Sequence, residues 1–112
     1  MEIAQIRYFL ALCDENSFTR AARRCGVAQP SLTRAIRNLE RELDTVLFER
    51  NPDGTTLTSN GQRIAPYFKA IWYCMSEVKN NRWRRANCKL VEEILEKLGI
   101  APAMIGSSSI YR

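Results

Sequence analysis

Six arginines, Arg20, Arg23, Arg24, Arg34, Arg37 and Arg41, fall between Asn16 and Arg41 against a single acid, Glu40. A guanidinium group suits phosphate and carboxylate recognition because its planar fork of N–H donors stays charged near neutral pH. Among the arginines stand Gln29, Pro30, Ser31 and Thr33, a set of amide, apolar and hydroxyl groups. A glutamine amide pairs bidentately with adenine, arginine does so with guanine, and small hydroxyl or apolar groups suit the thymine methyl. Arginines outside a groove neutralise phosphates, which fixes register without reading sequence.

Other chemistries are poorly supplied. The 112 residues include no histidine, the commonest general acid or base near neutral pH. No Gly-rich phosphate loop, GxSxG or paired-carboxylate arrangement replaces it, so no enzyme is expected. Cys13, Cys25, Cys74 and Cys88 lie far apart with no CxxC pair. They read as free, partly buried thiols of a reducing compartment, with neither metal nor cofactor implied. No apolar run approaches the roughly 18 residues of a membrane span, and no secretory signal is visible. The expected location is the cytoplasm.

The net charge of +5 is weak evidence by itself. Residues 1 to 58 carry eight basic and eight acidic side chains, whereas residues 59 to 112 carry nine and four. The arginine cluster is thus a local feature inside a neutral half, and the clustering carries the meaning.

The elements that must hold these groups follow from hydrophobic spacing. Ile3, Ile6, Leu10 and Cys13, widened by Phe9 and Leu12, make one amphipathic helix. Ser17 is a good N-cap for a second, from Phe18 to about Cys25, whose Ala21 and Ala22 permit close helix approach. Gly26 ends it through a left-handed conformation, and Gln29-Pro30 starts a third, because a first-turn N–H has no partner within its helix. Two helices joined by so short a glycine-containing turn make a helix-turn-helix. In the third helix Leu32, Ile36, Leu39 and Leu43 define the buried side. Pro30, Arg34, Arg37, Asn38 and Arg41 gather opposite them, with Gln29 and Thr33 at the flank.

Next, "TVLFERNPDGTTLTSNG" reads as two short strands around a Pro-Asp-Gly turn, a hairpin or wing. Thr58 or Ser59 caps a long helix to about Asn80, with Pro66 inside it. Ile64, Phe68, Ile71 and Met75 step by four, three and four, a heptad rhythm that Trp72 widens. These five residues form the expected homodimer seam. The expected organisation is a DNA-binding domain over residues 1 to 58, with the helix-turn-helix at about 18 to 37. A linker helix over 59 to 81 follows, then a basic linker, a short amphipathic helix and a mobile tail over 82 to 112.

The residues "FLALCDENSFTRAARRCGVAQPSLTRAIRNLERELDTVLFER" followed by "LTSNG" resemble the N-terminal DNA-binding domain of LysR-type transcriptional regulators. The most diagnostic pieces are "SFTRAA", "VAQPSLTRAIRNLE", "LFER" and the "LT" that opens the linker helix. The resemblance implies a mainly α, winged helix-turn-helix that dimerises through its linker helix and reads an interrupted palindrome in double-stranded DNA. The third helix would enter the major groove with Gln29, Pro30, Ser31, Thr33, Arg34 and Arg37 at recognition positions. Ser17, Thr19, Arg20, Arg50 and Thr58 would contact the DNA backbone.

Three departures stand out. Asp44 occupies a position where the family usually has glycine, and the wing tip from Asn51 to Thr56 has no basic residue but includes Asp53. The family also continues into a large effector-binding domain, which the last residues here do not match, so no small-molecule effector is expected. Three readings follow: a regulator without its own sensor, an interaction protein that forms inhibitory heterodimers with a full-length relative, or a fragment of a longer regulator.

Overall fold

A computed structural model describes residues 1–81, together with Glu93, Glu96, Lys97 and Gly99. The chain divides into two compact units, residues 1–72 and 73–112. The first holds the hairpin, the three helices before it and the core that position the arginine cluster.

Helix α1, Ile3–Glu15, turns Ile6, Phe9, Ala11 and Leu12 inward. It ends at Asn16 in the left-handed conformation (φ 54°), which asparagine tolerates better than most residues. Helix α2, Phe18–Cys25, opens on Ser17, whose Oγ accepts from the Arg20 N–H at 3.2 Å. It closes at Gly26 (φ 69°), whose N–H reaches the Ala22 and Arg23 carbonyls. Arg7 donates to the Cys25 carbonyl, adding a cation at the negative end of this helix. Helix α3, Gln29–Leu43, follows after three residues with Pro30 in its first turn. The break expected at Gly26 and the restart at Gln29-Pro30 are both present.

The three helices pack around one cluster. Ala21 and Leu32 are wholly buried and Ala22 nearly so, which lets α2 and α3 approach closely. Leu32, Ile36 and Leu39 are inside, as the phasing of the third helix requires, with Leu43 half-buried at the edge. Phe9 is the hub. Its ring lies 4.9 Å from Phe68 in an edge-on contact at 87°, and 5.1 Å from Phe48, tilted by 56°. Such pairs add about 0.5–1.5 kcal/mol each beyond the area they bury.

Helix α3 ends at Asp44 with φ 52°, its N–H turned back to the Arg41 and Glu40 carbonyls. The aspartate therefore adopts the left-handed turn that the glycine of the family pattern would make. Strands β1, Phe48–Asn51, and β2, Gly54–Leu57, pair antiparallel, with Phe48 opposite Leu57 and Asn51 opposite Gly54. The Asn51 side-chain oxygen accepts from the Asp53 N–H at 3.1 Å, closing the tip as an Asx turn.

Two contacts fix this hairpin to the helices. The Thr55 N–H donates to the Asn16 carbonyl at 3.0 Å, where a side chain on Gly54 (φ 131°) would lie 2.9 Å from the same oxygen. Glu40, the one acid of the arginine-rich stretch, accepts through Oε2 from the N–H groups of Leu47 at 2.7 Å and Phe48 at 3.4 Å. Helix α4, Ser59–Lys79, continues through Pro66. Of the expected short helix and tail, Glu93, Glu96 and Lys97 are helical and exposed. The rest of residues 82–112 lies outside the described residues.

Candidate nucleic-acid interface

The outer face of α3 and the wing enclose an open cleft of about 560 Å³ lined by Gln29, Pro30, Thr33, Arg34, Arg37, Arg41 and Arg50. Gln29, Pro30, Arg34, Arg37, Arg41 and Arg50 are exposed, and Thr33 is half-buried. Ser31 is exposed on the same helix but outside this cleft. A second cleft, about 360 Å³, runs between the start of α2 and the wing. It is lined by Ser17, Phe18, Thr19, Arg20, Gln29 and Arg50 together with Asn16 and residues 51–55. Gln29 and Arg50 border both, so the two form one concave surface.

The arginines around the site split into two kinds. Arg24 pairs with Asp14 at 3.0 Å and Glu15 at 3.5 Å, and the hydrogen bond it donates to Asp14 raises its already high pKa further. Arg20 donates to the Glu15 carbonyl at 2.6 Å and lies 3.9 Å from the Glu15 carboxylate. Among the described residues, Arg34, Arg37, Arg41 and Arg50 make no ion pair. Asp14 and Glu15 are thus engaged on the α2 side, and the α3 cleft itself is lined by arginines and no acid.

Side-chain hydrogen bonds set the details. Thr19 Oγ1 donates to Gln29 Oε1 at 3.3 Å, which joins the start of α2 to the start of α3 and orients the Gln29 amide. Ser17 accepts one backbone N–H and keeps its own hydroxyl proton available for a phosphate oxygen.

Two expected site residues stand elsewhere. Thr58 donates its hydroxyl to the Val46 carbonyl at 2.6 Å and accepts from the Gly61 N–H at 3.0 Å. It caps α4 and lies outside both clefts, with its hydroxyl proton engaged within the chain. Phe68, expected in the dimer seam, is 3% exposed and packs edge-on against Phe9. The helix carries two interleaved apolar stripes, and the stripe through Ala65, Phe68 and Trp72 faces the core. Ile64 is half-buried against that core and Met75 is half-buried, while Ile71 is 38% exposed. The outward stripe runs through Tyr67 and Ile71, with Tyr67 at 72% exposure and Ile64 at its edge.

Two residues that the sequence did not single out for the site support it: Phe18 carries Arg50 on its ring, and Glu40 holds the strand from which Arg50 projects. Arg41, named in the arginine cluster without a recognition or backbone position of its own, lines the first cleft. The only available signals were Arg41 on the exposed side of the wheel and a lone acid inside a basic stretch.

The family described as bacterial regulatory helix-turn-helix protein, lysR family, matches residues 3–62. The chain is 48% identical over 87 residues to the HTH-type transcriptional regulator ClcR of Pseudomonas putida, covering 78% of this chain and 29% of ClcR. It spans less than half the length of each of the first curated relatives it matches. Among solved structures, the BenM DBD/benA site 1 DNA complex superposes with a TM-score of 0.69 at 36% identity, covering 77% of this chain and 100% of that one. The CbnR DBD–DNA complex gives 0.67 at 33% identity, covering 75% and 95%. With the helix-turn-helix, the hairpin wing and the matched residues in agreement, the chain belongs to the LysR family of bacterial regulatory helix-turn-helix proteins.

Proposed function

We propose that this chain binds double-stranded DNA as a homodimeric transcription regulator, placing α3 of each protomer in successive major grooves of an interrupted palindrome. The observation that carries the reading is the α3 cleft, which Gln29, Thr33, Arg34 and Arg37 line and no acid does. Gln29, Pro30, Ser31, Thr33, Arg34 and Arg37 read base edges, while Ser17, Thr19, Arg20, Arg41 and Arg50 hold phosphates. The seam is the outward stripe of α4, Tyr67 and Ile71 with Ile64 at its edge, since Phe68 and Trp72 are engaged inside the chain. The DNA complexes solved for the BenM and CbnR domains support the DNA-binding part of this reading. The same exposed stripe favours a second reading, pairing with a full-length relative, which would use the same seam.

Binding of the protein to a palindromic promoter fragment and to random DNA across a salt series tests the proposal. A preference for the palindrome is expected, and equal affinity for both would remove sequence-specific regulation. Arg34→Ala should cost about 1–3 kcal/mol on the preferred site and relax its base preference. A uniform loss on every sequence would make Arg34 a phosphate contact instead.

A further inference from the structure

Phe18, the first residue of α2, is half-buried and packs against the core cluster. Over its ring lies the guanidinium of Arg50, with Cζ 4.3 Å from the ring centroid. Arg50 comes from β1, so the stack joins the start of the helix-turn-helix to the wing. Arg50 borders both clefts, and a third small one lined by Phe18, Thr33, Ile36, Arg37, Glu40 and Phe48. It therefore stands where α2, α3 and the wing meet.

A cation–π stack occupies the flat face of a guanidinium and leaves its N–H edge free. The edge of Arg50 remains able to grip a phosphate while the ring keeps the side chain from roaming. Glu40 fixes the root of the same strand through Leu47 and Phe48, so both the root and the head of Arg50 are held. The wing tip, Asn51 to Thr56, offers no cation to share this work.

Resting on the DNA-binding reading above, we propose that Phe18 is a positioning residue: its ring presets Arg50 to grip one DNA phosphate at the junction of α3 and the wing. That single grip replaces the basic tip that this wing lacks. The residues that specify sequence lie on α3, so the grip adds affinity and register for every site alike.

The test is duplex binding by the whole chain, followed by fluorescence anisotropy from low to moderate salt, for wild type, Phe18→Leu, Arg50→Gln and the double variant. Arg50→Gln is expected to flatten the slope of log affinity against log salt by about 0.9, the share of one phosphate. Phe18→Leu is expected to weaken binding about two- to fivefold in the wild-type background and not at all beside Arg50→Gln. Phe18→Tyr, which keeps the ring face, is expected to restore what leucine loses. A full Phe18→Leu loss beside Arg50→Gln would overturn the positioning role, and an unchanged slope in Arg50→Gln would overturn the phosphate grip. Arg50→Lys leaves Phe18 and the core untouched, which keeps the test valid even where Phe18→Leu fails to fold. It keeps the charge without the flat face and is expected to bind about two- to fivefold more weakly, so equal affinity would also overturn the stack. Wild-type protein without salt-dependent affinity for any duplex would instead refute the DNA-binding reading itself.

Discussion

Replacing Gly61 by alanine sets two effects of opposite sign against each other. Gly61 lies in the first turn of α4, where alanine gains at most about 1 kcal/mol of helix propensity over glycine. A Cβ there would stand 2.3 Å from the Leu47 carbonyl oxygen and 2.8 Å from Leu57 Cδ2. Reaching ordinary contact at 3.4 Å requires the helix start and the Leu47 backbone to separate by about 1 Å. Leucine can swing away, but the carbonyl belongs to a fully buried residue that also accepts the Thr58 N–H at 3.0 Å. Overpacking of this kind costs about 1–3 kcal/mol, and loss of the Thr58 bond adds about 1 kcal/mol. After subtraction of the propensity gain, Gly61→Ala should destabilise the fold by about 1–3 kcal/mol and lower Tm by on the order of 10 °C. Urea and thermal unfolding followed by far-UV circular dichroism give the answer, at one protein concentration because self-association shifts Tm. An unchanged or raised stability would show that α4 does not dock on Leu47 as described.

Glu40→Ala strips the acceptor from the N–H of fully buried Leu47 and should cost about 2–3 kcal/mol in urea unfolding, with Glu40→Gln in between. A loss below about 0.5 kcal/mol would mean that water or another group replaces the carboxylate. Phe68→Glu should unfold the domain, because it puts a charge in the core beside Phe9, whereas Ile71→Glu should keep the fold and halve the sedimenting mass. A folded Ile71→Glu dimer would remove the proposed seam. Burial, helped by the nearby Asp14 charge, pushes the Cys13 thiol up to about 11. The fold thus binds that proton more tightly than the unfolded chain. Its contribution to stability is complete below pH 9.0, the ordinary thiol value, and is lost as pH rises towards 11. Alkylation of the native protein, read by mass spectrometry at Cys13, should stay slow at pH 9.0, and rapid labelling there would contradict the burial.

Much of this molecule was legible along the chain because the deciding interactions are local. Gly26 ends a helix through its own backbone, Pro30 starts one for the same kind of reason, and the 3.6-residue rhythm puts Leu32, Ile36 and Leu39 opposite Arg34 and Arg37. What escaped is decided between elements. Both stripes of α4 are apolar, and only the place of Phe9 on α1 settles that Phe68 turns inward while Tyr67 and Ile71 turn outward. The sequence does not show that the Thr58 hydroxyl donates to the Val46 carbonyl, a contact that only the packing of the wing against α4 creates. The Arg50 stack on Phe18 joins residues far apart in sequence, and periodicity carries no information about such a pair. Arginines of one cluster likewise divide by whether Asp14 and Glu15 fold up beside them, which separates Arg20 and Arg24 from Arg34, Arg37 and Arg41, which make no ion pair among the described residues.

The most direct test of the proposed function is selection of duplexes from a random pool by the wild-type protein, sequenced after several rounds. Two recognition helices on one symmetric dimer predict an enriched pair of like half-sites in inverted orientation around a less constrained spacer. A pool that stays random would contradict sequence-specific binding, and a single motif without its inverted mate would contradict the dimer.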